Sequence, residues 1–229
     1  MRLLAFETAT EACSVAVWID GEVRERFEVA PRRHAELALP WAEALLAEAG
    51  VARAQLDAIA VGRGPGAFTG VRLAIALAQG IALALDRPLV PVSTLAALAA
   101  QNDAPRVLAA IDARMGEVYA GGFEWRDGAL HAVTAETVGA PQAVAVEGDG
   151  WQGLGTGFAA ADGALVRTLG DRLHAVDATA LPHAREVARL GAVAFARGQA
   201  LPPERIEPAY LRDNVALTLE QQQALRAGR

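Results

Sequence analysis

Lysine is absent from this chain of 229 residues, so all 21 of its permanently cationic side chains are arginines. The absence excludes a phosphate loop of the G-x-x-x-x-G-K-[ST] type, whose lysine must reach the phosphates. Cysteine occurs once, as Cys13, which rules out an intrachain disulfide framework and suits a reducing compartment. Histidine occurs four times, as His34, His131, His174 and His183, with no ligand spacing among them. The arginines form no run and the net charge is −6, so the chain alone is a poor candidate for gripping a nucleic-acid backbone. No signal-peptide pattern precedes the first strand-like run. The longest apolar run, Leu73 to Leu85, contains Gln79 and Gly80 and is short for a bilayer span. A soluble, cytoplasmic protein with no membrane partner is the expectation. The 53% share of hydrophobic residues implies a substantial core, divided between two small lobes at this length.

Glycine is where the chain is rich. Gly62-Arg63-Gly64-Pro65-Gly66-Ala67-Phe68-Thr69-Gly70-Val71-Arg72 lies between a strand-like run, Ala58 to Val61, and the apolar segment Leu73 to Leu85. Such a loop bares backbone N–H groups at a helix start, which suits an anion or another backbone. A dinucleotide fingerprint fits Gly62, Gly64 and Ala67 loosely. Its acidic residue is missing, because Leu89-Val90-Pro91-Val92 runs into Ser93. A structural turn that packs a strand closely on a helix accounts for the same residues.

Periodicity gives the organisation. Leu3 to Phe6 reads as a buried strand and Ser14 to Ile19 as a second, closed by an Asp20-Gly21 hairpin turn. The returning strand places Val23, Phe27 and Val29 on one side, opposite Arg24, Arg26 and Glu28. A helix from about Ala35 to Ala49 ends at Gly50, and Ser93 caps a helix of its own. The polar break Gln101-Asn102-Asp103-Ala104-Pro105 marks a boundary between residues 1–103 and 104–229. After it the opening repeats: Val107 to Ile111, Glu117 to Phe123, an Asp127-Gly128 turn, then Ala129 to Val133. Glycines 148, 150, 153, 155 and 157 then interrupt the pattern, and the next clear helix is Ala184 to Arg197.

The glycine loop resembles the signature of the TsaB (YeaZ) family, usually written GPGSFTG-[LIV]-R. Three further blocks agree in family order: Phe6 to Ala16, Ala110 to Tyr119, and Glu207 to Ala216. The resemblance implies an α/β, two-lobed actin, sugar-kinase and Hsp70-like (ASKHA) fold with duplicated βββαβα units and mixed sheets. Its second lobe would be reduced, with a C-terminal segment packing back on the first. It also implies a non-catalytic scaffold that activates threonylcarbamoyl transfer to N6 of the adenosine beside the anticodon of tRNAs. The chain would dock on the catalytic TsaD subunit, be joined by the small ATPase TsaE, form a homodimer when alone, and meet tRNA only through the complex.

In kinases of this fold two acid-bearing hairpins approach ATP, and the matching positions here are Glu7 and Asp112. The turn Thr8-Ala9-Thr10-Glu11-Ala12 has no glycine to admit phosphate, and Glu7 replaces the family's usual aspartate. No tightly bound cofactor is expected. ATP is used by the pathway, and a weak or shared nucleotide site stays open. The catalytic relatives carry a His-x-x-x-His pair, but four residues after His34 stands Ala38, so no metal and no catalytic residue is assigned. Cys13 reads as a buried thiol, Ser14 and Ser93 lack a nucleophile elbow, and Arg63 and Arg72 read as solvated or paired charges. An ATP-dependent small-molecule kinase and a glycoprotease-like metallopeptidase are the alternatives from other classes.

Between Leu73 and Leu85 no side chain is charged, so this helix is expected to be buried all round, by the chain's own first helix or by a second molecule. Ala74, Ala78 and Ala82 make a flat strip and Gly80 a notch. Leu37, Trp41, Leu45 and Leu46 form a neighbouring face. With the family resemblance, the binding surface comprises Gly64, Pro65, Gly66, Phe68, Thr69, Gly70, Arg72, Leu73, Leu77, Ala78 and Ile81, together with Leu37, Trp41 and Leu45.

Overall fold

A computed structural model describes residues 1–212; the part of the Glu207 to Ala216 block from Asp213 onward lies outside the described residues. The first sheet is built on β1 (Arg2–Glu7), which pairs antiparallel with β2 (Ala12–Ile19) and parallel with β4 (Ala58–Gly62). Adding β3 (Glu22–Val29) and β5 (Leu89–Val92) gives the order β3-β2-β1-β4-β5. β1 is apolar on both faces because both are covered. Leu4 and Phe6 pack under α1 (His34–Glu48) and α2 (Phe68–Leu85), while Leu3 and Ala5 meet α5 (Ala184–Ala196). Small residues set that second contact: a Cβ on Gly191 of α5 would stand 2.7 Å from the Cβ of Ala60.

The second half repeats the plan. β6 (Arg106–Arg114) pairs antiparallel with β7 (Glu117–Arg126) and parallel with β10 (Trp151–Leu154), as β1 does with β2 and β4. With β8 (Ala129–Ala132) and β11 (Leu173–Asp177) the order is β11-β10-β6-β7-β8, and β9 (Thr137–Gly139) pairs with β7. The helices cross over: α3 (Thr94–Ala99) packs on β6 of the second sheet, whereas α5 covers the first. Ser93 caps α3 as expected, its Oγ accepting from Ala96 N at 3.1 Å.

Four expectations change. α2 has 18 residues, and by length and hydropathy it could cross a bilayer; here its inner face of Val71, Ala74, Ile75, Ala78 and Ala82 lies in the core of the first sheet. Nor is α2 buried all round within the chain, since Leu83 is 65% exposed. On β3, the side of Val23 and Phe27 also carries Glu25, because this is an edge strand met by the start of α5. The glycine-rich stretch holds β10 and then α4 (Ala160–Leu169), both hidden by glycines that make room for side chains. A Cβ on Gly153 would fall 2.7 Å from the Phe158 ring.

α4 opens with Ala161, Asp162 and Gly163 all in the left-handed region. For an alanine this conformation costs about 1–2 kcal/mol. Ala161 is exposed, so Ala161→Gly loses no packing, and the relief exceeds the added unfolded-state entropy by about 1 kcal/mol. Urea unfolding should report that gain; a loss would mean the turn is not strained.

Candidate functional site

The glycine loop answers to another backbone. Ala67 N donates to Ala9 O at 2.7 Å, and Thr8 Oγ1 donates to Gly70 O at 2.7 Å. A Cβ on Gly66 would stand 2.4 Å from Ala9 O, and one on Gly70 would stand 2.0 Å from Thr8 O. The loop therefore grips the β1–β2 turn through glycines that admit its carbonyls. Two further amides at its start are committed: Arg63 N donates to Val92 O at 2.9 Å and Gly64 N to Thr94 Oγ1 at 3.2 Å. The amides of Gly66 and of Phe68 to Gly70, in the first turn of α2, take no partner among the described residues.

Glu7 is enclosed behind this loop, 1% exposed, with no charged partner. Its Oε1 accepts from Ala9 N at 2.7 Å and its Oε2 from Thr94 Oγ1 at 2.8 Å. The carboxyl fills the space beside Gly62, where a Cβ would come within 2.0 Å of Oε2. Burial pushes its pKa up to about 7 against the pull of these hydrogen bonds. Asp112 lies elsewhere, on the wall of the cleft between the two sheets, engaged by Arg114 N at 2.8 Å and Arg114 Nη1 at 3.0 Å. The two acids matched to a nucleotide site do not converge: Glu7 faces the interior and not the cleft.

The cleft has a volume of about 720 Å³. Arg32, Arg72, Arg114 and Arg212 line it against Glu11 and Asp112. Arg72 is partly solvated and makes no salt bridge among the described residues: its guanidinium lies 3.3 Å over the Phe68 ring and donates to Tyr210 Oη at 2.8 Å. His34 Nε2 meets Thr10 O at 2.9 Å, and Ala38, a turn later, is fully buried. Among the described residues no three His, Cys, Asp or Glu side chains are grouped to hold a metal. Burial and the Glu28 charge push the Cys13 thiol up to about 11, which makes it a poor nucleophile. Ser14, wholly buried, donates to Glu25 at 2.7 Å and accepts from Ala184 N at 2.8 Å. Glu25 also holds His183, stacked on Phe27 at 4.0 Å, so this group pins α5 to the sheet edge.

The remaining feature is apolar surface. Phe68 is 67% and Leu83 65% exposed, and Leu73, Leu77 and Ile81 are half-buried on α2 beside Leu37 and Trp41 of α1. Thr69 is exposed and Gly66 and Gly70 are partly so, whereas Gly64 and Pro65 are buried. Ala78 is 0% and Leu45 2% exposed. Those two belong to the core and not to a binding surface, because the alanine strip of α2 faces its own sheet. Sequence reasoning missed Thr94 and Tyr210; a threonine at a helix start and a tyrosine in a loop carry no pattern that marks them.

Two mixed sheets with one repeated strand plan, facing across a cleft, define a two-lobed α/β protein of the actin, sugar-kinase and Hsp70-like class. The family model described as TsaD, tRNA N6-adenosine threonylcarbamoyltransferase, matches residues 27–219. The tRNA threonylcarbamoyladenosine biosynthesis protein TsaB of Escherichia coli is 43% identical over 94% of this chain and 96% of its own length. The TsaB protein of Haemophilus influenzae is 37% identical over 94% and 95%. A solved structure from Pseudomonas aeruginosa, described as having similarity to peptidase YeaZ, superposes with a TM-score of 0.86 at 47% identity, covering 92% of this chain and 99% of that one. The chain belongs to the TsaB family.

Proposed function

We propose that this chain is a non-catalytic subunit in the synthesis of threonylcarbamoyladenosine on tRNA, docking on a TsaD-like catalytic subunit through α2 and the flank of α1. The observation that carries the reading is the open apolar face of α2: an 18-residue helix without an acidic side chain, with Phe68 and Leu83 mostly in solvent. Exposed apolar faces of this kind mark association surfaces. The kinship with TsaB proteins, named for this pathway, supplies the partner class. Docking would act by binding one conformation of the catalytic subunit better than others. The same face would close a homodimer when the partner is absent, and a TsaE-like ATPase would join the assembly. Nucleotide would be held weakly here or at a shared interface, since Glu7 is enclosed and the Arg63, Gly64 and Ala67 amides are committed. Contact with tRNA would run through the complex, in keeping with the net charge of −6, and the setting would be the cytoplasm.

Size-exclusion chromatography with light scattering, on the chain mixed with its own TsaD-like protein, tests this. A one-to-one species is expected, lost in Leu83→Glu. That side chain is 65% exposed, so the fold should survive, which circular dichroism checks. Absence of a complex at all concentrations, with nucleotide and the TsaE-like protein added, would overturn the proposal. So would a complex indifferent to both Leu83→Glu and Leu77→Glu.

A further inference from the structure

The segment after Ile206 runs across the mouth of the cleft. Ile206 itself is buried under α2, its carbonyl and that of Pro203 accepting from Gln79 Nε2 at 3.3 and 2.8 Å. From this anchor Ala209 N donates to Arg63 O at 2.8 Å, which ties the segment to the glycine loop. Tyr210 then takes the Arg72 hydrogen bond, with the guanidinium 5.1 Å from its ring. Two residues on, Arg212 crosses to the other half: its Nη2 donates to Ala113 O at 3.3 Å and pairs with Glu117. Ala113 and Glu117 belong to the two strands of the β6–β7 hairpin.

We propose that residues 207–212 are a releasable strap, which couples the first turn of α2 to the β6–β7 hairpin across the cleft. Behind the cleft the halves are joined through α3, whose Leu95 and Leu98 are buried against β6. That contact is apolar and enclosed. The strap's contacts are of the opposite kind, polar and partly solvated: the Arg212 and Glu117 side chains are 26% and 39% exposed, and Tyr210 is 60% exposed. Such contacts are weak enough to open while the core stays folded. A joint that is firm at the back and weak at the front is a hinge with a clasp. Because α2 carries the docking face proposed above, a partner bound there would reach the second sheet through Arg72, Tyr210 and Arg212. This last consequence rests on the docking reading; the strap itself does not.

Hydrogen exchange followed by mass spectrometry, on the full chain and its Arg212→Ala and Glu117→Gln variants, is the test. Neither change touches α2. Both are expected to speed exchange about fivefold in Gly70–Ala76 as well as in Ala113–Val118, with Leu3–Phe6 unchanged. Faster exchange confined to Ala113–Val118, or none, would overturn the strap. With the TsaD-like subunit added, Ala113–Val118 should exchange more slowly in the wild type and not in Arg212→Ala. Equal slowing in both would show that coupling bypasses the strap and overturn it as the route. Should no complex form, the docking reading fails, and the arms on the chain alone still decide the strap.

Discussion

At pH 8 the Glu7→Gln chain is expected to be more stable than the wild type by about 3 kcal/mol, and at pH 4 nearly equal to it. Glu7 ionises near 4.5 when exposed and at about 7 when folded, because burial opposes the charged form. Below pH 4.5 both states hold the proton and the group contributes nothing to pH dependence. Between the two values the unfolded chain releases its proton first, so stability falls as pH rises, and above 7 the full difference is felt. A shift of that size at 1.36 kcal/mol per pH unit gives the figure of about 3. Glutamine reproduces the protonated form. Its amide N–H can donate to Thr94 Oγ1, the atom now 2.8 Å from Glu7 Oε2, and its oxygen can accept from Ala9 N. Glu25, whose carboxyl is held below the usual range against burial by its bonds to His183 and Ser14, acts in the opposite sense and at lower pH. Its stabilisation is lost only as pH falls through that depressed value, so the two effects separate. Urea unfolding of both proteins between pH 4 and 8 measures the gap, and parallel curves would show that Glu7 keeps water or a counter-charge when folded.

Glu7 also marks how far the sequence could be read. The strands, both Asp-Gly turns, the Ser93 cap and the duplicated opening were legible because each is a local pattern: alternation, a turn dipeptide or a capping hydroxyl. The glycine loop was legible as a close approach but not by what it approaches. Spacing leaves anion and backbone equal, and only the distances from Gly66 and Gly70 to Ala9 and Thr8 choose between them. The resemblance matches Glu7 to a nucleotide cleft, but an acidic residue ending a strand reads the same whether it turns outward or inward; Gly62 and Thr94, far off in sequence, turn it inward. The same holds for α2, where the uncharged run from Leu73 to Leu85 gives no sign of which side meets the sheet. Ala78 and Leu83 both sit in this uncharged run, yet one is wholly buried and the other mostly exposed.

Two glycines on that helix should respond to alanine in opposite directions. Helix propensity alone favours Ala over Gly by up to about 1 kcal/mol at either position. At Gly80 nothing lies within 4 Å of the added Cβ, so Gly80→Ala should gain close to that amount. At Gly70 the Cβ would stand 2.0 Å from Thr8 O, well inside contact distance, and the obstacle is backbone that no rotamer change can move. Relief requires α2 to leave the β1–β2 turn, which breaks the Thr8 Oγ1–Gly70 O and Ala67 N–Ala9 O bonds at about 1 kcal/mol each and strains a packed core by about 1–3 more. Gly70→Ala should therefore destabilise the chain by about 3 kcal/mol net, a large part of the 5–15 kcal/mol typical of a folded domain. Thermal unfolding of the pair decides it: a Gly70→Ala chain as stable as wild type would mean that the turn yields and the loop is no clamp. Gly80→Ala carries a second consequence, because its methyl group enters the open face of α2. If a partner helix uses that notch, the variant will unfold later yet bind the TsaD-like subunit more weakly, a divergence that core burial cannot produce. A stabilised chain with undiminished binding would place the docking contact on the Phe68 and Leu83 ends of the helix and leave Gly80 outside it.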